Sequence, residues 1–162
     1  MRVVMDSDCL VKLTKAGAKN AVTKSMEVHI PRRVMMETVR EGKRRGFQDA
    51  LEIEANIKKR WLRVIALMKR GRFPLASGAG EAEVLSLFRR GGYDALASDD
   101  QRFLKKLETV GIPYLTPTAC ILYVYLSGTN TKKEAFQLLQ QLRSFISAEE
   151  YEMAKYYLET QS

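Results

Sequence analysis

The chain has 162 residues, of which 46% are apolar and 28% are charged, proportions that are ordinary for a globular protein. A chain of this length can bury a hydrophobic core without disulfides or a structural metal, so we predict one domain over residues 1–162. No apolar segment approaches the roughly 20 residues that cross a bilayer, and Asp6 and Asp8 interrupt the first apolar residues too early for a secretory signal. These features argue against membrane and disulfide-rich secreted classes, and we expect a cytoplasmic protein without a membrane partner.

The charge balance is strongly basic. Lys and Arg number 27 against 19 Asp and Glu, a formal net charge of +8 with a pI near 9.6. Such an excess favours polyanionic partners, because phosphates attract it whatever their sequence. Short basic clusters occur at residues 43–45, 58–60, 69–72 and 89–90. Solvated helix ends explain each cluster singly, but Arg70 and Arg72 flank the crevice predicted below, and nucleic acid is the partner class that the total charge favours.

Cysteine and histidine are too few to form a recognisable site. Cys9 and Cys120 match neither a disulfide framework nor a zinc spacing, and both lie among apolar residues, so we predict reduced thiols in the core. His29 is the only histidine and lies inside a predicted strand, where a structural role is the simpler interpretation because one histidine cannot form a zinc site.

Apolar segments typical of strands alternate with segments of helical period from the N-terminus to residue 117. We predict strands at residues 2–5, 28–30, 61–68, 95–98 and 112–115, and helices at 8–16, 31–39, 47–60, 81–90 and 101–109. Pro31 suits the first turn of its helix, and residues 42–46 (GKRRG) are predicted to break that helix. The alternation predicts an α/β fold with a mostly parallel sheet of about five strands, flanked by helices that the right-handed crossovers place on it.

The segment from residue 118 to residue 162 has a different pattern. An apolar helix is predicted at residues 118–126, and Gly128 can end it. Thr131 with Glu134, and Ser147 with Glu150, have the spacing of capping boxes, each of which opens a helix. We therefore predict an all-helical C-terminal extension on an α/β core of residues 1–117.

Four carboxylates fall where the predicted strands end or in the helices that follow them. They are Asp6, Glu37, Glu81 and Asp100. In a sheet of this kind ligands bind beyond the carboxyl ends of the strands. Acids clustered at one edge repel one another unless a cation neutralises them, and Mg²⁺ and Mn²⁺ prefer such hard oxygen ligands. Each acid alone suits a helix N-terminus, but capping hardly explains all four, so we predict a metal site.

The same four places carry a family resemblance. Residues 3–8 (VVMDSD), 30–37 (IPRRVMME), 80–85 (GEAEVL) and 98–103 (SDDQRF) resemble the four acidic blocks of PIN domains, in the family's order. The tail, LRSFISAEEYEMAKYYLE, resembles the helical C-terminal extension of a prokaryotic branch, the VapC-like toxins. Each block alone is weak, whereas the ordered set is fairly specific.

This resemblance implies a Mg²⁺- or Mn²⁺-dependent endoribonuclease whose acidic quartet is Asp6, Glu37, Glu81 and Asp100. Its expected partners are RNA, a second copy of the chain in a homodimer and, for a toxin, an antitoxin protein. Glu81 stands where aspartate is commoner in the family, and the pairs Glu81/Glu83 and Asp99/Asp100 leave the ligand in each pair open. Register favours Glu81 and Asp100. Ser7, Asp8 and Asp99 are candidates for positions around the ligands.

Two other functional classes remain open. The opening Asp6-Ser7-Asp8 and the late pair Asp99-Asp100 also resemble a haloacid-dehalogenase-like phosphatase, in which the first Asp would be the nucleophile and the second a general acid. That interpretation leaves Glu37 and the block at residues 80–85 without a role. The other class is an inactive PIN module that binds RNA or a protein. Within the nuclease class, a toxin and an RNA-processing enzyme are both consistent with the sequence.

Overall fold

The computed structural model describes residues 1–67, 76 and 78–161. Within them one sheet contains β1 (Arg2–Met5), β2 (Glu27–Pro31), β3 (Leu62–Ile65), β4 (Ala95–Ala97) and β5 (Tyr114–Leu115). The order is β3-β2-β1-β4-β5, and every neighbouring pair is parallel. The predicted α/β class, with about five strands, is confirmed.

The central strand β1 determines where a ligand could bind. Val3, Val4 and Met5 are buried, as expected for a parallel strand covered on both faces. From β1 the chain builds outward through β2 to β3, and then returns to place β4 on the other side of β1. This reversal puts the topological switch point between β1 and β4, where parallel α/β sheets bind ligands at their carboxyl ends.

Helices flank the sheet. They are α1 (Ser7–Lys15), α2 (Lys19–Ser25), α3 (Arg32–Met35), a π-helical segment (Met36–Glu41), α4 (Gly42–Arg44), α5 (Gln48–Lys58), α6 (Ala79–Arg89), α7 (Gln101–Thr109), α8 (Pro117–Leu126), α9 (Lys132–Leu142), a short 3₁₀ helix (Arg143–Phe145) and α10 (Ala148–Thr160). No helix in the described part of the chain is long and apolar enough to cross a membrane.

Several predicted boundaries were wrong. The third strand is shorter than residues 61–68, and Met68 lies outside the described residues, as do Arg70 and Arg72. Between β3 and the next helix only residues 66, 67, 76 and 78 are described, and α6 begins at Ala79 rather than at the predicted residue 81. Helix α2 was not predicted, because no apolar period marks its seven residues. Only Lys19 and Val22 are buried in it.

The predicted helix break at residues 42–46 was also wrong at its first three residues, which form α4. Gly42 has helical φ and ψ angles, and the helix ends only after Arg44. A Cβ at Gly42 would lie 2.8 Å from the Cβ of Ala50, so the glycine allows α4 and α5 to pack closely. This glycine therefore serves packing between helices, whereas Gly46, with φ of 75°, makes the turn.

Gly42→Ala tests this packing by the sign of its effect. In an open helix this substitution stabilises by about 1 kcal/mol. Because the added methyl meets Ala50, we expect instead a loss of about 1–3 kcal/mol in the free energy of unfolding, measured by urea denaturation. Adding Ala50→Gly should recover part of the loss. A single variant that is more stable than the wild type would contradict the packing role.

The C-terminal extension is helical as predicted. Thr131 caps α9 with both bonds of the capping box, whereas at α10 only the bond from the Glu150 backbone N–H to the Ser147 side chain is present. Helix α8 contacts α1 and α2 as well as α9 and α10. Cys120 on α8 and Cys9 on α1 are buried free thiols, in agreement with the prediction, and burial raises the pKa of Cys9 well above its usual value.

Candidate functional site

Asp6 lies at the switch point of the sheet. Its backbone N–H donates to Ala97 O at 2.9 Å, which continues the β1–β4 ladder by one residue and places Asp6 beside Ser98. Its Oδ1 accepts the Cys9 N–H at 2.9 Å and thereby caps α1. A second hydrogen bond joins its side chain to Ser98, which is fully buried. Asp6 therefore has a capping role and a fixed position at the edge of the sheet.

The Asp6 carboxyl has an unusual ionisation. Burial raises its pKa from 3.8 to about 7. The hydrogen bonds from Ser98 and the Cys9 N–H lower the pKa, and the negative charges of Asp8 and Asp100 raise it further. A carboxylate that loses hydration without a compensating cation is unstable in its charged form. Asp6 is thus an ionisable group that a bound cation would stabilise.

Asp100 belongs to the same cluster. Its backbone N–H donates to Ser98 Oγ at 3.2 Å, so one buried hydroxyl contacts both Asp6 and the start of the Asp100 segment. The Asp100 Oδ1 accepts the N–H groups of Arg102 and Phe103 at 2.8 and 3.0 Å and caps α7. Asp6 and Asp100 are therefore connected through Ser98, and they are close enough for the charge of Asp100 to raise the pKa of Asp6.

The neighbouring Asp99 has a different environment. It forms an ion pair with Lys12 on α1, and only 8% of its side chain is exposed. Ion pairing with Lys12 neutralises this carboxylate within the protein. The structure thus separates the two members of the Asp99/Asp100 pair by their partners, one a lysine and the other a helix N-terminus.

Glu37 reaches the same edge from the next strand. The Ser7 hydroxyl donates to its Oε2 at 2.6 Å, and Arg33 Nε donates to its Oε1 at 2.6 Å. Because Ser7 directly follows Asp6, this contact ties Glu37 to the start of α1, at the edge of the sheet where Asp6 lies. Glu37 lies in the π-helical segment, a geometry that is frequent at functional sites.

The two glutamates of α6 are in different positions. Glu83 is buried, and its Oε2 accepts the backbone N–H of Arg33 at 2.9 Å at the start of α3. Glu81 lies in the first turn of α6 and is partly exposed. A Cβ at Gly80 would lie 3.6 Å from Glu37 Oε2, so the start of α6 reaches Glu37. Glu83 thus holds α3 and α6 together, while Glu81 lies next to the residue that faces Glu37.

Sequence reasoning missed several residues that position these acids. Ser98 was only part of a block, and the roles of Lys12, Arg33 and Glu83 were not foreseen. A polar residue at the end of the apolar strand ALA was a usable signal for Ser98. The Glu83 contact spans 50 residues of sequence, and no local pattern indicates such a contact.

The donor set fits a divalent cation in chemistry. The side chains are carboxylates, the hard oxygen ligands that Mg²⁺ and Mn²⁺ prefer, and the raised pKa of Asp6 shows that this carboxylate is unfavourable without a neighbouring cation. As the side chains are placed, no three acidic, histidine or cysteine groups among the described residues are grouped so that they could hold an ion. The assignment of Asp6, Glu37, Glu81 and Asp100 as ligands therefore stays a prediction.

The fold and the cluster together define an α/β protein with an acidic site at the carboxyl edge of its sheet. A family model described as DUF3368: PIN domain matches residues 2–158. The chain belongs to the PIN-domain family, as the acidic blocks predicted. PIN domains are generally nucleases, which are hydrolases, and generally use divalent metals. No curated protein matches the chain.

Proposed function

We propose that the chain is a metal-dependent endoribonuclease that hydrolyses phosphodiester bonds of RNA at the β1–β4 edge. The observation that carries the proposal is the buried Asp6 carboxyl, with its pKa raised to about 7 beside Asp100, in a member of a nuclease family. The net charge of +8 supports a polyanionic substrate. The choice of RNA rests on the resemblance of the sequence blocks.

Asp6, Glu37, Glu81 and Asp100 are the residues we assign to Mg²⁺ or Mn²⁺. Such an ion, when bound, would lower the pKa of a coordinated water and offset negative charge on the phosphate. Neighbouring residues orient the proposed ligands. Ser98 holds Asp6 against the segment that carries Asp100.

Glu37 and the start of α6 are oriented by a second group of contacts. Ser7 and Arg33 each donate to one oxygen of Glu37, so this side chain is restrained at both oxygens. Glu83 accepts the Arg33 N–H and thereby ties α6 to α3. We assign Glu83 to positioning and Glu81 to the ion, because Glu83 is buried and engaged at the start of α3.

The partners of the chain remain proposals. A toxin role needs an antitoxin, and a small antitoxin-like reading frame beside the gene would favour it over an RNA-processing role. A homodimer is consistent with the large exposed apolar side chains of the C-terminal extension, Leu126, Met153 and Tyr156. The stability of such a pair depends on how much apolar area the two copies bury.

One assay with three substrates tests the proposed function. We expect the purified protein to cleave single-stranded RNA in Mg²⁺ or Mn²⁺ and cleavage to stop in EDTA. Cleavage should also slow as the salt concentration rises, because RNA binding releases counterions from the phosphates. Single-stranded DNA and a small phosphomonoester are the comparison substrates. Phosphomonoester turnover with intact RNA would favour the phosphatase, and no turnover of any substrate would favour the inactive module.

A further inference from the structure

A cleft runs away from the acidic edge between two helical walls. One wall is α1, and the other is the helical stretch from α3 through the π-helical segment to α4. Both walls begin at the carboxyl ends of parallel strands, β1 and β2. The cleft has a volume of about 620 Å³, and Ser7 and Glu37, which form a hydrogen bond at its acidic end, line it.

The cleft changes in charge along its length. Lys15 lies eight residues beyond Ser7 on one wall, and Arg45 lies eight residues beyond Glu37 on the other, and all four residues line the cleft. At 1.5 Å per residue, Lys15 lies about 12 Å along α1 from Ser7, and Arg45 directly follows the last residue of α4 on the other wall. Lys15 and Arg45 are exposed. The cleft is therefore acidic where Glu37 lies and carries cations at its other end.

An exposed aromatic ring lies beside the cationic end. Phe47 lines the cleft and is 51% exposed, although its backbone is held firmly. Its N–H donates to Gly42 O at 2.9 Å, and the close approach of Gly42 to Ala50 fixes the turn from both sides. Phe145, from the 3₁₀ helix, lines the same cleft and is partly buried. A half-exposed ring on a fixed backbone is well suited to stacking on a flat ligand.

We propose that this cleft binds the RNA strand on one side of the scissile phosphate, with a base stacked on Phe47 and phosphates contacting Lys15 and Arg45; this inference rests on the proposed function. A length of about 12 Å accommodates three to four stacked nucleotides at roughly 3.4 Å each. Aromatic stacking and cationic side chains are the two devices with which proteins bind single strands without sequence preference.

The acids in the cleft restrict how the strand lies. Asp8, Glu41 and Asp49 also line it, and they disfavour a phosphate close to them. Asp99 lines the cleft as well, but it is paired with Lys12. The strand is therefore bound through a base at Phe47 and through phosphates only where Lys15 and Arg45 lie. An acidic peptide would meet repulsion from Glu37, Glu41 and Asp49 without gaining the stacking of several bases, so a single-stranded nucleic acid fits the cleft better.

Equilibrium binding tests the inference apart from cleavage. Fluorescence anisotropy with a labelled single-stranded RNA of about twelve nucleotides, in EDTA, gives the dissociation constant. Phe47→Ala should weaken binding by roughly tenfold, whereas Leu51→Ala, an equally exposed apolar residue on α5 that does not line the cleft, should change it little. Phe47→Trp should retain the affinity of the wild type.

A matched pair of charge reversals tests the cationic end. Arg44 and Arg45 are both exposed neighbours, but only Arg45 lines the cleft. Arg45→Glu should weaken binding several-fold more than Arg44→Glu, because both change the net charge equally and only one removes a contact with the strand. Equal effects would show that net charge alone governs binding and would overturn the assignment.

The two proposals can fail separately. If the protein cleaves RNA but Phe47→Ala and Arg45→Glu bind like their controls, this inference is wrong and the proposed function stands. If the binding differences are found without cleavage of any substrate, the proposed endonuclease is wrong and the strand site stands. Failure of the wild-type protein to bind the oligonucleotide would overturn this inference. Circular dichroism should show that each variant is folded.

Discussion

Asp100→Asn should lower the rate of RNA cleavage by at least about 100-fold, because it removes a negative charge from the proposed ion site at almost constant shape. The amide oxygen of Asn can still accept the N–H groups of Arg102 and Phe103, so the N-terminal cap of α7 is retained. RNA binding should be unchanged or tighter, since one negative charge leaves the path of the phosphates. Cleavage rates at saturating Mg²⁺ and anisotropy measure the two effects.

Asp99→Asn is the matched control for that variant. It removes the same charge one residue away, but from a carboxylate that is ion-paired with Lys12. We expect a much smaller effect on cleavage and a modest loss of stability, because a partly buried ion pair is broken. Comparable losses of cleavage in both variants, or a larger loss in Asp99→Asn, would show that Asp100 is not the ligand of the pair.

Much of the central fold could be predicted because its residues follow simple local patterns. The strand β1 and the helix α7 agree with their predicted bounds. In β1, all but the first residue are buried beneath helices, and α7 follows an N-cap aspartate with a clear apolar period. An apolar strand that ends in an acid is enough to place Asp6 and Asp100 at one edge once the sheet is known to be parallel.

The elements that were wrong depend on contacts between distant segments. Gly42 was predicted to break a helix but lies in one, because Ala50 approaches it at a distance that only glycine permits. The π-helical segment that carries Glu37 could not be predicted from the sequence. A π-helical turn contains one residue more than an α-helical turn, and no residue type marks where that extra residue lies. Packing between elements therefore decided these positions.

The candidate site shows the same division. Its acids were found from their places after strands, whereas their restraints were not. Ser98 connects Asp6 with Asp100, and Glu83 links α6 to the start of α3. A restraint of this kind needs two partners from different elements, and the sequence shows only one of them at a time. Substitution of each acid in turn, Glu81 included, is therefore the way to identify those that bind an ion.

The stability of the metal-free protein should depend on pH through Asp6. The pKa of this carboxyl is about 7 in the folded protein and 3.8 without the fold. Between these values the folded protein binds more protons than the unfolded chain, so the free energy of unfolding falls as pH rises. The stabilising contribution of the protonated group is fully present below the lower value and is lost as pH rises through about 7. One unit of pKa corresponds to about 1.4 kcal/mol, so the shift from 3.8 to about 7 means that the ionised group costs on the order of 4 kcal/mol above neutrality.

Asp6→Asn should therefore stabilise the protein at pH 8 in EDTA, although it removes a residue of the proposed site. The neutral amide keeps an oxygen that can accept the Cys9 N–H and has no charge to desolvate. We expect the melting temperature at pH 8 to rise by several degrees, at about 2–4 °C per kcal/mol for a chain of this size, and the difference to shrink at pH 5, where Asp6 of the wild type is protonated. Asp8→Asn, at an exposed position, removes only one of the lesser causes of the raised pKa of Asp6, so it should stabilise the protein at pH 8 much less than Asp6→Asn does. An equal difference at both pH values, or a less stable Asp6→Asn at pH 8, would show that ionisation of Asp6 does not destabilise the folded protein. That result would remove the electrostatic reason for a cation at this edge of the sheet.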